Sequence, residues 1–428
     1  MNLVRARLPV GPLFRGTVVL AGGTAIGQFI VFLSAPVLTR LYQPQDFGVL
    51  ATYTSLIGIL SVVIALKYEV AIPLPRGSRQ AANVLALSLL SVFCMAGAVA
   101  VAVPIVSTIW PSAGRSLSDT GIYWLLPLGL LGAGAYNVLS FWAVRKRDYH
   151  QLAKTKLSQA TGQVFAQVGL GLAHFSPIGL LIGDFVGRSS GTVTLASSMW
   201  REDRRYLRAV RLRRIWLTAQ RYWRFPALAS VAGLLNSAGL HLAPLLLISL
   251  YGAQVAGWFA LADRIIQAPM ALIGRSIARV YFGEVAALSE APARLQDMLE
   301  RTITRLIFII IGPTVLLAAL GRPVFGFVFG SEWERAGLFA QLLSPFLFFK
   351  FITNPVAQHL NVLERQDLSM IWSGIRLIAV GGTLAIPAWL EMSPSWTIGF
   401  YSGGMSLCYV GLLLLNQYAI RDRIRKLQ

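Results

Sequence analysis

Six ionisable side chains stand where the surrounding sequence gives them no water: Asp184, Arg188, Asp263, Arg264, Lys350 and Arg376, each inside a long apolar run. At a rise of about 1.5 Å per residue, a group ten residues into a membrane-spanning helix lies roughly 15 Å deep, near the bilayer midplane. A charge there costs at least about 2.5–3.5 kcal/mol on insertion scales, so each needs a partner or a wet cavity. Asp184 and Arg188 are four apart and share a helix face. Asp263 and Arg264 are adjacent, so they point about 100° apart and cannot both face one partner. Lys350 sits between Pro345 and Asn354-Pro355, and neither it nor Arg376 has an evident local acid. Four cations against two acids favour an anion, and the planar fork of arginine suits phosphate through paired charge-assisted bonds. For Asp184 and Asp263 two readings stand side by side: ion or proton coupling, and structural pairing with a neighbouring cation.

Catalytic chemistry finds no comparable support. Gly187 to Gly191 reads GxSxG, but a nucleophile elbow needs a strand-to-helix turn. Inside an apolar helix the same small residues serve close packing. His150, His174, His241 and His359 lack metal-ligand spacing, and there is no GxxxxGK sequence. Cys94 and Cys408 lie in apolar runs and read as small core residues, not a disulfide or metal site. The expectation is a non-enzyme with no catalytic residues, no cofactor and no metal.

The elements that hold these groups follow from composition. The 428 residues are 55% hydrophobic and 13% charged, where a soluble domain carries about 25% charged. Apolar runs long enough to span fall at 16–38, 48–66, 82–107, 121–143, 155–173, 177–198, 227–250, 253–277, 303–320, 337–358, 368–390 and 396–417. The first is too long for a signal-peptide core and reads as a retained span. With the N-terminus cytoplasmic, alternate connections hold 28 Lys and Arg, and the opposite ones hold four: Arg40, Arg115, Arg322 and Arg335. That asymmetry predicts an N-in, C-in topology. It also accounts for the net charge of +20 by membrane side, facing anionic lipid, without nucleic acid. The fold class is therefore an all-α integral membrane protein of about twelve spans.

A repeat divides the chain. Leu41, Tyr42, Gln45, Gly48 and Ala51 recur as Leu250, Tyr251, Gln254, Gly257 and Ala260 at one constant offset. Weak internal symmetry of this kind marks transporters. The predicted organisation is an N-terminal six-helix lobe at 1–198, a basic linker at 199–225 and a C-terminal six-helix lobe at 226–428, the two lobes pseudo-symmetric. The linker carries nine arginines interleaved with aromatics such as Trp200, Tyr206, Trp216 and Trp223. It reads as an interfacial cytoplasmic helix that anchors the lobes, or one that also gathers an anionic lipid.

Several motifs carry a family resemblance: Ala35 to Tyr42, Asp46-Phe47-Gly48, Lys67 to Pro75, Trp142 to Tyr149, Arg221 to Pro226, and Gly257 to Arg264. In that order they resemble the Wzx-type O-antigen flippases of polysaccharide biosynthesis, within the multidrug and oligosaccharidyl-lipid exporter superfamily. The resemblance implies two six-helix bundles around a central cavity in the bacterial inner membrane. It implies an undecaprenyl-pyrophosphate-linked oligosaccharide as cargo, turned from the cytoplasmic to the periplasmic leaflet by alternating access, with polysaccharide polymerase machinery as a further partner. Lys350, Arg376, Arg188 and Arg264 are the candidate pyrophosphate contacts, and Arg40 joins them through its place in the first motif. A cation-coupled multidrug exporter of the same fold and an intramembrane glycan polymerase or glycosyltransferase are the alternatives.

Overall fold

Long apolar runs without a polar face can bury their backbone only as helices, because lipid offers no hydrogen bonds. In the computed structural model, which describes residues 12–109, 122–208, 210–267, 292–357, 360 and 365–427, every regular element among the described residues is helical. In chain order these are α1 (Pro12–Leu33), α2 (Ala35–Leu41), α3 (Pro44–Leu60), α4 (Ser78–Ile109), α5 (Ile122–Lys146), α6 (Tyr149–Leu172) and α7 (Ile178–Leu207). Then come α8 (Leu212–Arg221), α9 (Ser230–Tyr251), α10 (253–267), α11 (Pro292–Phe329), α12 (Glu334–Val356), α13 (Gln366–Trp389) and α14 (Pro394–Leu427). Arg275 and Arg279, at the expected end of the eighth span, lie outside the described residues.

Eight stretches among the described residues are long and apolar enough to cross a bilayer. The other expected spans correspond to α3, α6 and α7, which are helical but shorter or more polar, and to α10, described from 253 to 267. The polarity of α6 has a local cause. Gln167 donates to the Leu180 carbonyl at 3.1 Å, and Gln159 donates to that of Arg188 at 3.3 Å. Carbonyls of α7 thus satisfy the amides of α6, whose polarity lowers its hydropathy. Burial separates the remaining helices. In α11 only 6% of the apolar window is buried, and Phe308, Val315, Leu316 and Phe327 point outward. Such a surface needs lipid as its solvent. In the span ending at Val356, 67% of the window is buried, so α12 runs through protein on nearly every side. Cys94 differs from expectation: it is exposed, beside the outward Phe93 and Leu90 on α4, on a lipid-type face and not in a core.

Contacts divide the chain into one unit of Met1–Ser34 with Leu60–Val231 and a second of Ala35–Ile59 with Ala232–Gln428. By packing, α2 and α3 therefore belong with the C-terminal helices. In the first unit, α7 is laid against α6 along Gly183, Gly187 and Gly191, where a methyl would meet Gln167, Gln163, and Tyr136 with Thr155. The GxSxG sequence is part of this packing stripe. At the end of α5, Asp203 accepts from Trp142 Nε1 at 2.9 Å and from Lys146 Nζ at 2.5 Å, joining α5 to the end of α7. Arg145 donates to the carbonyls of Ile72, Pro73, Pro75 and Arg76 at 2.7–3.4 Å and so fixes the loop before α4.

The second unit contains both copies of the repeat, and they cross. A methyl on Gly48 would collide with Ala253, and one on Gly257 would collide with the Pro44 carbonyl. Pro44 and Ala253 are themselves equivalent positions of the repeat, so the contact is reciprocal. Each copy breaks the chain by its own chemistry. In the first, Pro44 opens α3 and Asp46 reaches back to the Gln43 N–H at 2.8 Å, half of a capping box. In the second, Gly252 takes φ +85°, closes α9 through its N–H to the Ile248 carbonyl, and lets α10 start at once. Trp333 braces the crossing: its Nε1 donates to the Thr39 carbonyl at 3.1 Å, and its ring meets Phe47 edge-on at 4.9 Å.

Candidate functional site

The second unit gathers three of the sequence-predicted groups. Lys350 on α12 is 9% exposed and Arg376 on α13 is 4% exposed. Lys350 Nζ donates to Gln267 Oε1 at 3.0 Å, and Gln267 Nε2 donates to Asp263 Oδ2 at 2.5 Å. The amide of Gln267 thus stands between lysine and carboxylate as a relay, one turn along α10 from Asp263. Asp263 and Arg376 both lie within electrostatic reach of Lys350. Arg376 Nη2 donates to the carbonyl and the side-chain oxygen of Asn236, each at 2.9 Å, while its Nε has no partner among the described residues. Gly239, one turn along α9 from Asn236, leaves room for this guanidinium: a Cβ there would sit 3.1 Å from Nε.

Aromatic rings enclose the two cations. Lys350 lies 5.1 Å from the Phe346 centroid, and the Arg376 guanidinium lies 4.7 Å from that of Trp372. Tyr409 meets both Trp372 and Phe346, and Tyr401 meets Phe346, at centroid separations of 5.5–5.8 Å. Low polarity strengthens each charge's field, and ring faces attract cations without neutralising them. The result is a buried cationic pair with one nearby carboxylate, in which the Arg376 Nε packs toward Gly239 and has no partner among the described residues. Two cations against one carboxylate leave the cluster short of negative charge.

Arg188 and Asp184 lie in the first unit and pair with each other on α7, Nε to Oδ2 at 2.5 Å and Nη2 to Oδ1 at 3.3 Å. Arg264 is half-buried on α10. Arg40 is exposed at the end of α2. Sequence reading passed over Gln267, Asn236 and the ring set. Two signals were available: Gln267 follows Asp263 by four residues, and Asn236 is a lone amide inside the apolar run at 227–250.

A sequence profile described as "Polysaccharide biosynthesis protein" matches residues 37–337. The chain belongs to the polysaccharide biosynthesis protein family. One relative in this setting is the succinoglycan biosynthesis transport protein ExoT of Rhizobium meliloti (strain 1021), 26% identical over 368 residues, covering 83% of this chain and 70% of that protein. The fold is shared with solved transporters. The lipid II flippase MurJ in an inward closed conformation aligns with a TM-score of 0.68 at 12% identity, over 93% of this chain and 87% of that one. An inward-facing multidrug resistance MATE family transporter of the MOP superfamily aligns with a TM-score of 0.66 at 14% identity, over 94% of both chains. This member of the family is thus a multi-pass membrane protein of polysaccharide biosynthesis with a transporter fold.

Proposed function

We propose that the chain is a flippase that moves an undecaprenyl-pyrophosphate-linked oligosaccharide from the cytoplasmic to the periplasmic leaflet of a bacterial inner membrane. The lipid tail stays in the bilayer, but sugars and diphosphate cannot cross hydrocarbon unaided. A cationic cavity that opens alternately to each side, by rocking of the two halves of the chain, solves that problem. The observation that carries the reading is the Lys350–Arg376 pair: two buried cations, ringed by aromatics, against one nearby carboxylate. In this reading both bind the diphosphate, and Arg264, Arg188 and Arg40 are further candidate contacts to it. Asp263 sets the charge balance or couples an ion. Asp184 does the same or serves only to hold Arg188, since their ion pair accounts for both without a ligand.

The test is surface glycan display by cells whose only copy is Lys350→Ala or Arg376→Ala, with protein level and thermal midpoint checked. A hydrogen bond to a charged group contributes about 1.5–3 kcal/mol, so each variant is expected to lower flux roughly 10- to 150-fold. Arg376→Lys keeps the charge but loses the fork, and is expected to fall between. Normal display by both alanine variants would remove these residues from the transport path.

A further inference from the structure

The first unit contains a second basic site that the transport reading does not use. A cavity of about 860 Å³ opens between the start of α4 and the face of α8, with Arg76, Arg79, Arg214 and Arg221 on its walls and no carboxylate among its lining residues. Its volume falls in the range of about 300–1,000 Å³ typical of small-molecule sites. None of these arginines takes part in an ion pair among the described residues. The N-terminal turn of α4, from Gly77 through Gln80, also lines it, so the cavity lies beside the positive end of a 32-residue helix.

The pocket is built by specific contacts. Arg145 holds the carbonyls of 72–76 and so fixes the loop that presents Arg76. Asn83 Oδ1 accepts from the Arg211 N–H at 3.4 Å and ties the start of α8 to α4.

The two faces of α8 say where the pocket lies. Leu212, Ile215, Trp216 and Ala219 form one side of the helix, and Leu212 and Trp216 are 83% and 66% exposed. Arg214, Leu217, Thr218 and Arg221 follow at helical spacing on the opposite side and line the cavity. A basic amphipathic helix with a bare apolar face lies in the membrane interface, which places its polar face at headgroup depth.

We infer that this pocket binds a phosphate-bearing headgroup at the membrane surface, the chemistry shared by anionic phospholipids and prenyl diphosphates. The inference stands whether or not Lys350 and Arg376 carry cargo. The test uses the full-length protein in detergent. Retention of cardiolipin against phosphatidylcholine is read by native mass spectrometry, and binding of inorganic pyrophosphate by calorimetry. Each surface arginine contributes about fivefold to anionic-lipid affinity. Arg79→Gln with Arg214→Gln is therefore expected to cut cardiolipin retention on the order of 25-fold. Arg201→Gln with Arg213→Gln, equal in charge but outside the pocket, is expected to cost clearly less than the pocket variant. Cardiolipin loss specific to the pocket variant assigns a lipid headgroup. The same loss seen only with pyrophosphate assigns a soluble phosphate. Should the pocket variant fail to fold, Arg76→Gln with Arg221→Gln repeats the comparison on the other two walls. Equal effects of pocket and control variants, or none, overturn the inference and leave these arginines as topology determinants.

Discussion

Glu69 is the one carboxylate in the motif from Lys67 to Pro75, and it is 1% exposed. Its Oε1 accepts from Asn137 Nδ2 at 3.4 Å, and its Oε2 has no partner among the described residues. Burial pushes the carboxyl above its usual range, more than the Asn137 bond and the nearby Lys67 pull it down. The folded chain therefore holds the proton more tightly than the unfolded chain. Stability contributed by the neutral acid is present at low pH and is lost as pH rises from the ordinary carboxylate value through the folded one. Glu69→Gln keeps the acceptor and cannot ionise. We expect it to match the native thermal midpoint near about pH 4 and to exceed it at about pH 8. Parallel pH profiles for the two proteins would show that Glu69 does not titrate with folding. At this scale the family motifs were legible but their work was not. Trp142, Arg145 and Lys146 hold loops and helix ends, whereas Lys350 and Arg376 lie outside every motif. Charge inside an apolar run was the signal that found them. Their neutral partners, Gln267 and Asn236, carry no such signal.

At the scale of elements, the repeat was legible as an offset, but its meaning required the crossing of α3 and α10. Spacing says that two segments are equivalent; it does not say that each supplies the surface against which the other packs. Nor does it say that α2 and α3 join the C-terminal helices, because sequence order favours grouping them with α4. The reciprocal contact, Gly48 on Ala253 and Gly257 on Pro44, makes a definite prediction. Gly48→Leu and Gly257→Leu each force extra volume into a tight backbone crossing, at a cost of about 1–3 kcal/mol. Once one leucine has pushed the helices apart, the second meets a gap already opened. The double variant should thus cost clearly less than the two single changes together, as neighbouring sites do. Thermal midpoints of the four proteins in detergent measure this. Strict additivity would mean that the glycines face separate neighbours.

For the whole molecule, the question is which helices cross the membrane. Counting only the eight most apolar stretches puts both termini on one side, and so does counting twelve; the termini cannot decide. The connections can. With eight spans and a cytoplasmic N-terminus, the segments 144–156 and 199–225, with fourteen Lys and Arg between them, fall outside. Letting α3, α6, α7 and α10 cross as well returns both to the cytoplasm, along with 67–81. Lys and Arg near span ends set orientation, so the charge distribution favours the longer count, even though α6 and α7 are too polar to be recognised by hydropathy. The polarity of α6 has its reason in the amides it donates to carbonyls of α7. We therefore expect a fluorescent-protein fusion to light up, and an alkaline phosphatase fusion to stay inactive, when placed after Arg76, Arg147 or Arg213. The reverse should hold after Tyr42 and after Gly252. Phosphatase activity after Arg147 or Arg213 would return α6 and α7 to one side of the membrane. It would also move the arginine pocket, which α8 and the start of α4 share, to the outer leaflet.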